Sequence, residues 1–499
     1  MREAGILLHI TSLPSPHGVG TLGAQARCFV DFLSGAGQSC WQILPLGPTG
    51  YGDSPYQTFS TFAGNPYLID LDELVSMGLL TAQEVSAADG GGDTEVDFGR
   101  LYENRRPLLQ KACLRGWDSF SGEIELFIKQ NESWLPDCAL YMAAKDRFGG
   151  TPWYDWPEEL KACHISPEGA QTTEAWREKL DAEVKYHIFV QFLFFRQWNA
   201  LRDYARGHGI KFIGDVPIYV PLDSADVWAS PGSFQLDGSL RPSQVAGVPP
   251  DGFSADGQLW GNPLYDWEAM KKDGFRWWKA RLRAAGRMFD IVRIDHFRGL
   301  SAYWSVPAGE TTAKNGSWRP GPGRAFIDAI KNEFPDMRFI AEDLGYLNED
   351  VRGLVEYSGF PSMKVLEFAF DPREPSDYLP HTYDKNCVCY TGTHDNATLV
   401  QWLGELSVGD REYARAYLGL NCEEGYSAGV IRGGMASSAE LFMAQMQDWL
   451  ELGGEARMNT PGTFGAPNWR WRMRADALTD SLQKRIHDTT GLYGRGGGK

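Results

Sequence analysis

Short runs of branched and aromatic apolar residues recur along this chain, and between them apolar residues return at helical spacing. No other feature constrains the fold as much. The runs are GILLHI (5–10), CWQILPL (40–46), IKFIGDV (210–216), FDIVRID (289–295), MRFIAED (337–343), MKVLEFA (363–369) and VCYTGT (388–393), with a weaker one at ARMN (456–459). Runs of this length suit strands buried on both faces. The clearest helix spans Asp181 to Tyr204, with Ile188, Phe192, Phe195, Trp198 and Leu201 on one face and Gly207 and Gly209 at its end. Eight strands joined through helices predict an α/β fold, a (β/α)8 TIM barrel, as one unit over 1–499. The uneven spacing places helical and loop insertions at approximately 50–206 after the second strand, 220–288 after the third and 396–455 after the seventh. An open doubly wound sheet competes with the barrel. The stretch LPSPHGVGTLG after the first run has glycines but lacks the GxGxxG spacing of a phosphate-binding turn.

Charge and cysteine usage narrow the function classes. The chain carries 48 Lys and Arg against 65 Asp and Glu, a formal charge of −17. Nucleic acid and anionic membranes both need a basic face, so neither is expected as a partner. The 8 cysteines include no CxxC pair and the 9 histidines no HExxH spacing, so no metal or cofactor is expected and the thiols read as reduced. No apolar run reaches the length of a membrane span, and MREAGILLHITSLPS does not read as a signal peptide; a cytoplasmic protein is expected.

The polar residues sit where a barrel would use them. At the carboxyl ends of the runs stand Asp215 (GDVP), Arg293 and Asp295 (VRIDH), Glu342 and Asp343 (AEDLG), and His394 and Asp395 (TGTHDN). Strand ends of this kind face the mouth of a barrel. One acid there can be a helix cap; acids ending several runs point to chemistry. Without metal-ligand spacing, converging carboxylates suggest glycosidic bond chemistry, in which an ionised nucleophile and a protonated acid stand about 5–5.5 Å apart. Arg293 lies two residues before Asp295, so both side chains point the same way on a strand. That guanidinium would hold Asp295 ionised, unless the pair merely braces the barrel. Glu342 follows apolar residues with no basic neighbour in sequence, which suits a raised pKa.

Two loops carry aromatic residues among glycines and prolines. TGYGDSPYQTFSTFAGNPY (49–67) brings Tyr51, Tyr56, Phe59 and Tyr67; VAGVPPDGFSADGQLWGNPLYDW (245–267) brings Phe253, Trp260 and Tyr265. Both read as walls or lids over a cleft, although the same rings could simply anchor long loops.

These motifs together resemble the amylomaltases, the 4-α-glucanotransferases or disproportionating enzymes. The resemblance runs from LLHITSLPSPHGVGTLG to MNTPGTFGAPNWRWR and includes WQILPLGPTGYGDSPYQ, GDVPIYV, GVPPDGFSADGQLWGNPLY, VRIDHFRG, AEDLG, YTGTHDN and RMNTPG. It implies a barrel without the C-terminal β-domain of α-amylases, acting on α-1,4-glucans and glucose by double displacement. By motif, Asp295 would be the nucleophile, Glu342 the acid/base and Asp395 the stabiliser of the distorted sugar. Arg293 and His394 would bind that sugar, with Asp215 nearby. Ser54, Tyr56, Gln258, Trp260 and Asn468 would contact the glucan, with Phe253 in the lid. Two positions depart from the family. Gly252 stands where an aromatic residue is usual, which implies a looser lid and either more hydrolysis relative to transfer or a changed ring size in cyclisation. Ala397 replaces a commonly polar residue, with little expected effect on chemistry. The residue types do not separate transfer from hydrolysis by the same carboxylates. Intact acids speak against a glucan-binding protein without activity.

Overall fold

The computed structural model describes residues 2–496 apart from Tyr51, Asp89, 251–253 and Tyr346. Its strands are β1 (Glu3–Leu7), β2 (Cys40–Gln42), β3 (Lys211–Val216), β4 (Gln244–Val248), β5 (Gln258–Pro263), β6 (Ile291–Ile294), β7 (Ala302–Pro307), β8 (Ser317–Pro320), β9 (Arg338–Ala341), β10 (Ser362–Val365), β11 (Cys387–Tyr390) and β12 (Leu441–Gln445). Eight of them form one parallel sheet in the order β10-β11-β12-β1-β2-β3-β6-β9. The two outer strands come together where Ala341 N donates to Pro361 O at 2.9 Å and Met363 N donates to Asp343 Oδ1 at 2.8 Å. The sheet thereby curls into a (β/α)8 barrel. Asp343, read from sequence among the strand-end acids, is spent on this closure.

The barrel interior is filled by alternate residues of its strands. Cys40, Ile213, Ile291, Ile340, Met363, Val365, Val388, Tyr390, Leu441 and Met443 form one buried cluster. A period of two fixes which side chains continue inward at the strand ends. From Ile213 it leads to Asp215, from Ile291 to Arg293 and Asp295, and from Ile340 to Glu342. From Met363 it leads to Glu367, and from Met443 to Gln445.

The eighth strand is not where the sequence suggested. It is β12, Leu441–Gln445, and residues 456–459 form no strand. The connection after β11 therefore ends at residue 440, short of the expected 455. LFMAQ escaped notice because it contains no β-branched residue, the usual mark of a strand. The other strands are shorter than their apolar runs, because the runs continue into the loops of the mouth.

Helices dominate the connection after β2, among them Phe98–Gly116, Leu135–Arg147 and Asp181–Gly207. In the last, Ile188, Phe192, Trp198 and Leu201 are buried, and Phe195 is half-buried against Phe127 and Trp134. The connection after β3 carries β4 and β5, and the one after β6 carries β7 and β8. Together they make an antiparallel sheet in the order β5-β4-β7-β8.

Loop 49–67 is tied to this framework from two sides. Thr61 N donates to Asp226 Oδ2 at 2.8 Å, and the buried Arg281 donates from Nε to Thr61 Oγ1 at 2.8 Å. Burial pushes the Asp226 carboxyl up to about 7, against the pull of the Thr61 N–H and Arg281. A carboxyl raised on folding weakens the fold as pH climbs from its unfolded value near 3.8 to about 7, by on the order of 4 kcal/mol. Asp226→Asn removes this term. Its thermal midpoint relative to wild type should rise between pH 4 and pH 7 and level off above, which melting at pH 5 and pH 8 will check.

Candidate active site

The mouth of the barrel gathers most of the residues predicted from sequence. Asp215 and Arg293 are register partners on β3 and β6, and both are buried. Arg293 Nη1 donates to Asp215 Oδ2 at 2.6 Å and lies 2.8 Å from Asp295 Oδ1. Burial works against the Arg293 charge, but Asp215 and Asp295 outweigh it and hold its pKa well above the ordinary value. This arginine is a permanent cation shared by two carboxylates. Tyr56 donates its hydroxyl to Asp215 Oδ2 at 2.7 Å, so the aromatic loop closes onto the same carboxylate.

Asp295 follows the last residue of β6, and Glu342 follows the last residue of β9. Ile294 and Ala341 are register partners, Glu342 N donates to Ile294 O at 3.0 Å, and Phe297 N donates back to Glu342 O at 2.9 Å. The two acids thus follow register partners on neighbouring strands, about 4.8 Å apart backbone to backbone, and both continue the inward phase of their strands. His296, between them in the chain, adopts φ 48° and turns its N–H onto Glu342 Oε2 at 2.6 Å. Leu344 N donates to Glu342 Oε1 at 3.0 Å.

Burial pushes both carboxyls upward. For Asp295 the Arg293 charge opposes the shift, and Asp215, Glu342 and Asp395 add to it. For Glu342, Arg293 and the two N–H donors oppose it. With Arg293 as the cation among these acids, the pair holds a proton more readily than separate carboxyls would. The contact with the guanidinium favours charge on Asp295, whereas the direct partners of Glu342 are neutral N–H groups.

Asp395 faces this pair from the segment after β11. Asn459 Nδ2 donates to its Oδ1 at 2.6 Å, and Arg457 Nη2 donates to its backbone O at 2.7 Å. His394 Nε2 stands 3.4 Å from Asp395 Oδ1. Burial lowers the His394 pKa, so the ring is neutral, and it stacks on Tyr56 with centroids 5.1 Å apart. Arg457 and Asn459 were missed as site residues because RMN was read as a strand; their only signal was the RMNTPG motif.

The remaining predicted positions divide. Trp260, on β5, is half-buried; its ring meets that of His296 edge-on at 4.8 Å, and its Nε1 donates to Gln258 Oε1 at 3.2 Å. Ser54 is half-buried and accepts the Tyr56 N–H at 3.3 Å, which holds the Tyr56 turn. Asn468 is buried and its amide is committed to its own loop: Oδ1 accepts from Thr460 N at 3.0 Å and Nδ2 donates to Thr463 Oγ1 at 2.9 Å. These bonds brace the loop that carries it. Phe59 and Tyr265 are anchors: Phe59 packs on Lys145 and Tyr141, and Tyr265 donates to Ile218 O at 2.8 Å. Tyr51, Gly252 and Phe253 lie outside the described residues. Ala397 is buried and its carbonyl accepts from Gln445 Nε2 at 3.0 Å.

With this geometry in place, known proteins agree on one family. The profile described as 4-alpha-glucanotransferase matches residues 8–479. A 4-alpha-glucanotransferase of Streptococcus pneumoniae is 46% identical over 497 residues, covering 99% of this chain and 97% of that one. One from Clostridium butyricum is 45% identical over 491 residues, covering 98% and 100%. The solved amylomaltase from Streptococcus agalactiae, in complex with acarbose, is 41% identical with a TM-score of 0.96, each chain covered fully.

Proposed function

This chain belongs to the 4-alpha-glucanotransferase family, and on that premise we propose how its residues share the work of moving α-1,4-glucan segments from a donor to an acceptor glucan or glucose. Asp295 Oδ attacks C1 of the donor sugar. The bond from C1 to the leaving O4 breaks, and Glu342 gives its proton to that oxygen. The glycosyl ester on Asp295 is then attacked at C1 by the 4-hydroxyl of the acceptor. Glu342 takes the hydroxyl proton, the ester bond breaks, and both carboxyls return to their starting states.

The other residues act on the same sugar. Asp395 stabilises the positive charge that develops at C1, and the neutral His394 ring and the Arg293 guanidinium bind the sugar's hydroxyls. Asp215 keeps Arg293 in place. Tyr56 and Trp260 form walls for the flat faces of neighbouring sugars, with Gln258 and Ser54 completing the path. The whole chain works as one catalytic barrel, its insertions serving as walls of the cleft. One observation carries this reading: two acids end adjacent strands, and only Asp295 touches the cation. No described helix is long and apolar enough to cross a membrane. Eight free thiols, Cys28 and Cys422 exposed among them, support a reducing, cytoplasmic location.

Incubation with maltotriose tests the assignment. Transfer gives glucose together with a ladder of longer chains on a chromatogram. Shorter products alone would make water the acceptor and overturn it.

A further inference from the structure

We propose that Asp448, a residue out of reach of any sugar, positions Asp395 for the transfer reaction by holding both ends of the segment that carries it. This rests on reading Asp395 as the stabiliser of the reacting sugar.

Asp448 lies just past β12, in the short helix Met446–Trp449, and is 1% exposed. Its Oδ2 accepts from Thr391 Oγ1 at 2.6 Å, and its Oδ1 accepts from Leu399 N at 2.8 Å. Thr391 opens the segment containing His394 and Asp395, and Leu399 begins the helix that ends it. One carboxylate therefore clamps the segment at both ends. Gln445, fully buried, grips the middle by donating from Nε2 to Ala397 O at 3.0 Å. Asn396 Oδ1 accepts from Thr393 N at 2.9 Å and Thr393 Oγ1 at 2.8 Å, and Asp395 N donates to that same hydroxyl at 3.3 Å. Gly392 shows how tightly the segment is seated: a Cβ there would lie 2.5 Å from Glu367 Oε1 and 3.0 Å from Gln445 Nε2.

The chemistry of the clamp argues for more than packing. The donors around Asp448, the Thr391 hydroxyl and the backbone N–H groups of Leu399 and Gln445, are neutral, and burial pushes its carboxyl up to about 7 against them. A buried carboxylate without a cation is costly to the fold. A capping residue for the Leu399 helix needs one acceptor, and Thr398 already caps Gln401 N. An asparagine could keep its oxygen on the Leu399 N–H only by turning its NH2 onto Thr391 Oγ1, which already accepts from Gln445 N at 3.4 Å; the hydroxyl proton would then lose its acceptor and the clamp its charge.

Asp448→Asn should lower kcat for maltotriose disproportionation roughly 10- to 100-fold, with KM changed less than about twofold, as expected when a group acting in the transition state is misplaced. Combined with Asp395→Asn it should add no further loss, because its effect passes through Asp395. Thr391→Val, which removes one bond of the clamp, should also lower kcat, and Thr391→Ser should restore it. A merely structural role predicts a lower melting temperature with unchanged kcat per folded enzyme. Equal losses from Asp448→Asn in the wild-type and Asp395→Asn backgrounds would overturn the inference. If Asp448→Asn does not fold, equal kcat in Thr391→Val and Thr391→Ser overturns it instead. Full activity in Asp395→Asn alone would remove the assignment of Asp395 and this inference with it. An impaired Asp395→Asn beside a fully active Asp448→Asn would remove only the inference.

Discussion

Asp295→Asn should lower glucan transfer by a factor on the order of 10⁴–10⁶, with folding little changed. The amide is close to the carboxylate in shape but is a poor nucleophile and cannot form the glycosyl ester. The fold should tolerate the change because Arg293 keeps Asp215 at 2.6 Å and is not left buried without an anion. Removing one negative charge also eases the crowding of Asp215, Asp295, Glu342 and Asp395. The measurement is incorporation of labelled glucose into maltodextrin at saturating donor. Because the loss is chemical, the variant should still bind maltodextrin. Activity above about one hundredth of wild type would exclude Asp295 as nucleophile.

Glu342→Gln should slow transfer from maltotriose roughly 10²- to 10⁴-fold, the usual worth of a general acid–base group. The diagnostic result comes from a donor such as α-maltosyl fluoride, whose fluoride leaves without help from an acid. With it the first step persists while the second, which needs Glu342 as base, stays slow. The ester on Asp295 should then accumulate and appear as a maltosyl adduct in the mass spectrum. The pH profile should change as well. Burial raises the Glu342 pKa, so wild-type activity falls as pH rises and this proton is lost; the variant should lack that limb. A variant with no adduct and an unchanged profile would place the acid elsewhere.

Much of this site was legible because strand alternation and chemistry coincide. VRIDH places Arg293 and Asp295 in the inward phase begun by Ile291, and AEDLG places Glu342 in that of Ile340. Glu367 was missed although Met363 and Val365 set the same phase, because in MKVLEFA it lies inside the apolar run rather than at its end. The small sheet was not legible for a different reason. β4 pairs with β7 across two separate barrel connections, and all four residues of β8 are exposed, so no local pattern announces either strand. Asp448 carries no pattern at all: its importance lies in Thr391 and Leu399, which only the tertiary fold brings to it. The loop bonds of Asn468 to Thr460 and Thr463 were likewise invisible in sequence, where only the family motif marked the residue.

The small sheet has a consequence for anyone transplanting parts between relatives. Trp260 rides on β5, β5 is bonded to β4, β4 to β7, and β7 begins at Ala302, a short turn after Asp295. The proposed sugar wall and the proposed nucleophile are thus stitched to one ribbon of backbone. A graft of 244–263 alone would drag on the nucleophile's own stretch of chain or leave an unpaired edge on β7. Breeding new chain-length preferences into this scaffold means exchanging both hairpins together, 244–263 with 302–320.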